Sequence, residues 1–370
     1  MADLANCRIL VVDDTESNID ILLDALGPDY EVSVAMDGET ALQTIIQETP
    51  DLVLLDIMMP GMDGYEVCKR LKADENTQKI PIIFLTAMTE ERDEARGLAL
   101  GVADYVTKPF SPALIRARIR NQLELKLYRD HLEELVMERT RELALTQEVT
   151  IDGLAVLAEY RDPETGGHIQ RTKNYVRLLA EHLKTHPKYS DFLDDITIEL
   201  LYKSAPLHDI GKVGVCDSIL LKPGRLTKEE FEEMKMHVIY GHNAIQAAER
   251  KLGENSFLRF AKEITISHHE KWDGSGYPYG LKAEAIPFVG RLMAMADVYD
   301  ALISKRVYKP PFPHKKAVDI IVNGDKRTEP CHFDPDVLQA FIELAEDFRQ
   351  IAIGFADFDE ERKALSKNCS

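Results

Sequence analysis

A parallel α/β sheet with helices on both faces, joined by a long helix to a helical second part, is the architecture the sequence predicts. Three observations predict it. Up to about residue 110, short apolar runs alternate with helical stretches. Residues 112–150 then carry no Gly, a single Pro at position 112, and an abundance of Leu, Glu, Arg and Lys. Beyond them, His and Asp recur within helical patterns that are otherwise apolar.

The strands of the first part are marked by where they end. Residues 8–12 (RILVV) run into Asp13 and Asp14, and residues 52–55 (LVLL) into Asp56. Residues 81–85 (PIIFL) run into Thr86, and residues 102–106 stop just before Lys108 and Pro109. Stretches such as 64–72 and 90–99 read as the helices between them. A parallel strand is covered on both faces, so it reads as a continuous apolar run. In open sheets of this kind the site lies outside the carboxyl ends of the strands. One Asp after a strand is usually a turn residue, but here three Asp, one Thr and one Lys collect at that edge. Three clustered carboxylates repel unless a cation joins them, and Mg²⁺ prefers such oxygens.

With LLDIMMPGMDGYEV and the late KPF, this pattern resembles a response-regulator receiver domain over about residues 6–122. The resemblance implies a flavodoxin-like doubly wound sheet with Asp56 as phospho-acceptor. It implies Mg²⁺ on Asp13 and Asp14 with help from the Met58 carbonyl, and Thr86 and Lys108 contacting the phosphoryl group. It also implies Tyr105 as the aromatic switch residue and a sensor histidine kinase as partner. Added charge at the strand ends would turn Thr86 and Lys108 towards it and repack the last helix–strand face.

Residues 112–150 read as one helix continuing from the last helix of that domain. From 118 to 150 it would span about 50 Å at ~1.5 Å per residue. Leu125, Leu132, Val136 and Leu143 recur at 4- and 7-residue spacings, interrupted by Arg139. Neither flanking domain offers an evident surface for this stripe. A parallel coiled-coil homodimer is therefore the expectation, over a helix packed on its own domain. The division predicted is 1–122, a helical linker over 112–150, and 151–370.

In the last part, His168, His208, Asp209, His237, His268, His269 and Asp297 fall on helical patterns. A lone helical His is usually a satisfied core or surface residue. Seven N and O ligand types together are not, because burying imidazole or carboxylate is costly unless it is paired or bound to metal. No Cys is among them, which favours Fe, Mn or Zn over a thiolate zinc site. The adjacent pair His208-Asp209 suits two neighbouring ions with a bridging carboxylate, an arrangement fit for in-line displacement at phosphorus. Lys212 follows His208 by one turn if HDIGK is helical, and Arg306 and Lys309 follow Asp297 closely. Such cations read as phosphate clamps, although any one alone is more often solvated surface charge. The loop HEKWDGSGYPYG combines Gly274, Gly276 and Gly280 with Pro278, Trp272, Tyr277 and Tyr279. Its glycines do not fit GxGxxG, and the chain has no GxxxxGK[ST], so this is no triphosphate cradle.

Together RDPETGGHIQR, HDIGKVGV, MKMH, SHHEKWDGSGYP, ADVYDAL and SKRVYK resemble the HD-GYP family of cyclic di-GMP phosphodiesterases over roughly residues 150–350. The resemblance implies an all-α domain of the HD superfamily with a centre of two or three divalent ions, Fe or Mn foremost. The seven His and Asp residues above would be ligands, and Glu164 an extra ligand in members with three metals. His208, Asp209 and Lys212 would form the catalytic core. Lys212, Tyr277, Arg306 and Lys309 would contact the nucleotide. NGDKRTEPCH, before Phe333, is longer than usual for the family, and about the last fifteen residues carry no motif.

The 370 residues are enough for two or three domains. A net charge of −19 argues against DNA or an anionic membrane as partner, and so against a transcription-factor output. No apolar run reaches the ~18 residues of a membrane helix. MADLANC lacks the basic and apolar regions of a signal peptide. Five Cys without paired spacing read as reduced thiols, hence a cytoplasmic protein. The expectation is a cytoplasmic, phosphorylation-controlled hydrolase of cyclic di-GMP. The alternative is a metal- and nucleotide-binding module that mainly docks a partner such as a diguanylate cyclase. Hydrolysis of another cyclic dinucleotide is disfavoured by the GYP loop.

Overall fold

The structure is a computed structural model, and it describes residues 4–87, 100–159, 166–252, 257–305 and 310–366. Two compact units divide the chain between Glu142 and Leu143.

The first unit is a five-stranded parallel sheet in the order β2-β1-β3-β4-β5. Its strands are β1 (Arg8–Val12), β2 (Glu31–Ala35), β3 (Leu52–Asp56), β4 (Ile82–Thr86) and β5 (Asp104–Thr107). Alternation along each strand feeds two cores. Leu10, Val12, Val53, Leu55, Ile82 and Phe84 pack with α2 (Gly38–Gln47) and α3 (Gly64–Ala73) on one face. Ile9, Val11, Leu52, Leu54, Ile83 and Leu85 face α1 (Glu16–Leu26) and the start of α4 (Pro112–Glu159) on the other. Asp37 and Asp63 cap α2 and α3 by accepting the backbone N–H of Thr40 and Glu66, each at 2.8 Å. The predicted doubly wound sheet is thus present. Four of its strands begin and end within two residues of the expected runs, β2 is not among those runs, and the expected helix 90–99 lies outside the described residues.

Helix α4 is 48 residues long. Ile115, Ile119 and Leu123 bury in the first unit. Beyond them the attachment is polar. Lys126 pairs with Asp51 at 2.9 Å, Arg129 donates to the Lys79 carbonyl at 3.1 Å, and Lys79 meets Glu133 at 2.5 Å. These pairs carry the first unit past residue 122. Ile151, Ala155 and Ala158, at the other end, bury in the second unit. Leu125, Leu132, Val136 and Leu143 stay 40–70% exposed between these ends.

The second unit is helical throughout its described elements: α5 (Gly166–Leu183), α6 (Asp195–Ser204), α7 (Asp217–Leu220), α8 (Lys228–Lys235), α9 (His237–Leu252), α10 (Leu258–Ser267), α11 (Phe288–Ile303), α12 (His314–Asn323), α13 (Pro335–Glu343), α14 (Ala345–Gly354) and α15 (Asp359–Ser366). Its core joins Tyr175, Val176 and Leu179 of α5 to Leu292, Met293 and Tyr299 of α11, Phe341 of α13 and Phe348 of α14. Tyr175 and Phe348 stack with ring centroids 4.4 Å apart. HDIGK is not an α-helix. Asp209 sits at φ −105°, ψ 10°, between two 3₁₀ turns, Ala205–Leu207 and Ile210–Gly214. The break falls where His208 and Asp209 turn inward.

Candidate metal centre and receiver site

Five elements bring the predicted ligands of the second unit together. His168 comes from the first turn of α5, His208 and Asp209 from the break between the 3₁₀ turns, and His237 from the first residue of α9. His268 and His269 follow α10, and Asp297 lies on α11. The ligand atoms form two groups: His168, His208 and Asp297, and Asp209, His237, His268 and His269. Asp209 stands between them. Its Oδ2 lies 3.4 Å from His208 Nε2, and its Oδ1 lies 3.2 Å from His237 Nε2 and 3.5 Å from His268 Nε2.

The outer hydrogen bonds orient these rings. Nδ1 of His208, His237 and His268 faces the backbone carbonyls of Ala205, Met234 and Ile264 at 3.0, 2.7 and 3.1 Å. A carbonyl accepts only, so each Nδ1 carries the proton and each Nε2 lone pair points inward. His168 Nδ1 lies 2.8 Å from Asp300 Oδ2, while its Nε2 stands 3.3 Å from His208 Nε2. Burial favours neutral His269 and holds it well below the usual histidine range, with His268 and His237 adding to the effect. Burial also lowers His268. At Asp209, burial opposes ionisation, but Lys212 and His208 outweigh it and hold the carboxyl well below its usual range. The site therefore holds His268 and His269 towards the neutral form beside an ionised Asp209, which in turn raises the neighbouring His208 against its burial.

Asp209 Oδ1, His237 Nε2 and His268 Nε2 are buried, converge, and make no hydrogen bond. Orphaned buried polar atoms are costly. A shared divalent ion removes that cost, since ligand atoms ~2 Å from one ion lie about 3–3.5 Å from each other. The donor set fits such a group.

Lys212 is buried, with Nζ 2.8 Å from Asp209 Oδ2. Tyr277 lies over His269, ring centroids 4.7 Å apart, at the edge of the same cluster. Glu164, Arg306 and Lys309 lie outside the described residues. Two partners went unread in the sequence, Arg171 and Asp300. Each follows a predicted ligand by three residues, the helical spacing that returns to the same face, and that was the signal available. Arg171 grips the buried Asp300 through Nε at 2.6 Å and Nη2 at 2.9 Å, and this guanidinium drives the Asp300 carboxyl far down against the cost of burial.

In the first unit, Asp13, Asp14 and Asp56 gather at the strand ends as expected. Lys108 Nζ reaches Asp13 at 2.8 Å and Asp56 at 2.7 Å. Asn18, not anticipated from the sequence, donates to Asp13 Oδ1 at 2.9 Å. Met58 follows Asp56 at the same edge with its side chain exposed, Thr86 ends β4, and Tyr105 lies on β5 opposite Phe84. The Arg118 guanidinium lies 5.6 Å from the Tyr105 ring centre.

Comparison with known proteins agrees with both halves. The response regulator receiver domain matches residues 9–120, and the HD domain matches residues 154–337. A probable cyclic di-GMP phosphodiesterase of Vibrio cholerae is 47% identical over 96% of this chain and 82% of its own length. The cyclic di-GMP phosphodiesterase response regulator RpfG of Xanthomonas campestris is 34% identical over 96% of this chain and 92% of its own. A 3'3'-cGAMP-specific phosphodiesterase of Vibrio cholerae is 37% identical over 64% of this chain and 42% of its own. Fold and site define a response regulator whose output is an HD domain. The chain belongs to the family of cyclic di-GMP phosphodiesterase response regulators.

Proposed function

We propose that this protein hydrolyses the phosphodiester bonds of cyclic di-GMP at a dinuclear centre in its second unit, under control of phosphorylation at Asp56. The observation that carries the reading is the placement of Asp209. One carboxylate oxygen faces His208 of the first ligand group, and the other faces His237 and His268 of the second. His168, His208, Asp209 and Asp297 would hold one ion, and Asp209, His237, His268 and His269 the other, with Asp209 bridging. Bound there, Fe or Mn ions polarise the phosphoryl group and acidify the attacking water.

The chain's own residues do the rest. The backbone carbonyls behind His208, His237 and His268 keep each imidazole in its ligating tautomer, so no reorientation is needed at reaction. Lys212 holds Asp209 in place and keeps a positive charge beside the reacting phosphate, where charge develops in the transition state. Tyr277, laid over His269, supplies a flat wall for a guanine base. Arg306 and Lys309 would clamp the second phosphate, and Glu164 would serve a third ion.

In the first unit, Lys108 bridges Asp13 and Asp56, and a phosphoryl group on Asp56 would draw it out of that pairing. Mg²⁺ on Asp13 and Asp14 would support that chemistry, with a sensor histidine kinase as phosphoryl donor. A homodimer through the exposed stripe of α4 would carry the signal. A relative named for 3'3'-cGAMP means that resemblance alone does not choose the cyclic dinucleotide, and the expectation that the loop disfavours other substrates loses force.

Hydrolysis of cyclic di-GMP and of 3'3'-cGAMP by anaerobically purified full-length protein, with metal content measured on the same sample, tests the reading. Wild type should turn over cyclic di-GMP. Asp209→Asn should lose metal and at least about 10²-fold in rate, because a neutral amide bridges poorly. Full turnover by metal-depleted Asp209→Asn protein would sink the mechanism.

A further inference from the structure

The last described residues, which carry no sequence motif and lie beyond the stretch matched to the HD domain, reach back to the metal-ligand end of α5. Arg171 is 2% exposed and is gripped from two sides. Towards the ligand cluster it holds Asp300, which accepts from His168 Nδ1. On the side of the chain end, its Nη1 donates to the Phe355 carbonyl at 2.8 Å and to Asp357 Oδ2 at 3.1 Å. The other oxygen of Asp357 accepts the backbone N–H of Gly167 at 3.1 Å, one residue before His168. Glu361, itself buried, accepts the N–H of Asp357 at 3.2 Å and that of Lys305 at 2.8 Å. Glycine at 167 is part of this arrangement. A Cβ there would meet Asp357 Oδ2 at 2.3 Å and the Phe355 carbonyl oxygen at 2.5 Å.

We propose that the segment 355–361 is a brace for the metal centre, with Asp357 a positioning residue that acts on His168 through Arg171 and Asp300. The inference rests on His168 being a ligand, as argued above. Arg171 is buried between two carboxylates, so losing Asp357 removes the one charged partner on the side of the chain end and leaves only the Phe355 carbonyl there. Asp300 then moves with Arg171, and the His168 ring moves with Asp300. Outer partners of ligating histidines typically contribute about 10–100-fold in metal affinity.

The test uses full-length protein and Mn²⁺ as probe, titrated against a chelating dye, with thermal unfolding and amide exchange of the ion-free protein measured alongside. Asp357→Ala and Gly167→Ala should each weaken Mn²⁺ binding about 10–100-fold. The near-isosteric Asp357→Asn keeps an acceptor for Gly167 but loses the charge, and should fall between them and wild type. Exchange should rise over residues 166–172 and remain at wild-type level in α12 and α13. Wild-type affinity in both alanine variants, with His168→Gln weakened, overturns the brace alone. Wild-type affinity in His168→Gln as well removes the ligand assignment and the brace with it. Faster exchange across α12 and α13 marks a general loss of stability and also overturns the proposal.

Discussion

Two buried aspartates, each within 3 Å of a lysine, titrate in opposite directions. Asp56 lies 2.7 Å from Lys108 Nζ, and Asp209 lies 2.8 Å from Lys212 Nζ. Burial raises the Asp56 carboxyl above its usual range, Asp13 adds to the rise, and Lys108, shared between the two, does not offset them. At Asp209, Lys212 is joined by His208 and His237, and these outweigh burial. The difference suits the two proposed roles, one carboxylate awaiting a phosphoryl group and the other ready to bridge ions. It also has a pH consequence. A carboxyl whose folded pKa is raised binds its proton more tightly folded than unfolded. The stability it contributes is therefore present below its unfolded pKa, ~3.9, and is lost as pH rises through the folded value. Asp56→Asn removes that loss. Without Mg²⁺, its receiver should melt higher than wild type at pH 7, and the gap should close as pH falls towards 4. Millimolar Mg²⁺ should narrow the gap at pH 7 by neutralising the wild-type cluster. Scanning calorimetry checks this, and a lower midpoint for Asp56→Asn at pH 7 would contradict it.

The loop between α10 and α11 shows how an element without regular structure becomes precise. Glu270 is buried and accepts the N–H groups of Tyr279 at 2.8 Å and Leu281 at 2.9 Å, folding the loop over its own start. Gly276 lies in the crossing. A Cβ there would sit 2.3 Å from the Lys271 nitrogen and 2.5 Å from the Glu270 Cα, both backbone atoms that cannot yield. Gly276→Ala should lift Tyr277 from His269 and cut kcat/KM for the cyclic dinucleotide by about 10–100-fold, since small misplacements of substrate-positioning groups carry penalties of that order. Metal content should be measured alongside, because Glu270 and Lys271 in the crossing directly follow His269. Unchanged kinetics would mean that the loop does not touch substrate. The sequence already flagged this loop by its glycines and aromatics. It did not reveal Glu270 as the anchor, because nothing local distinguishes a buried glutamate from a solvated one.

At the scale of the whole molecule, α4 carries exposed Leu125, Val136 and Leu143, 62–70% accessible, and Leu132 at 40%, at the spacing of a helix–helix seam. Arg139 interrupts the stripe and pairs with Glu142 at 2.5 Å on the helix surface. Such a seam is marginal, so two copies paired through it, as proposed, would shift register or crossing angle at modest cost, on the order of a few kcal/mol. Control at a distance needs an element with two arrangements that both sites bias. The double variant Leu132→Asp, Val136→Asp should run as a monomer in light scattering and still hydrolyse substrate, without response to a beryllofluoride mimic of phosphorylation. An intact dimer, or regulation surviving in a clean monomer, would rule this route out.

Four of the strands, the long helix and the candidate ligands were legible in the sequence because each is written locally. Apolar runs buried on both faces need no partner information to be recognised, and a stretch without Gly whose one Pro stands at its first position declares a helix. The seven His and Asp residues stood out because their type conflicts with an apolar setting, and that conflict is visible one residue at a time. What the tertiary structure decided is how these pieces meet. It broke HDIGK between two 3₁₀ turns, at the point where His208 and Asp209 both turn to the site. It sorted the seven candidate ligands into two groups, with Asp209 standing between them. It also brought Asp357, 189 residues away in the chain, to the outer partners of His168. Contacts between residues so far apart depend on the packing of whole helices, which no local pattern encodes.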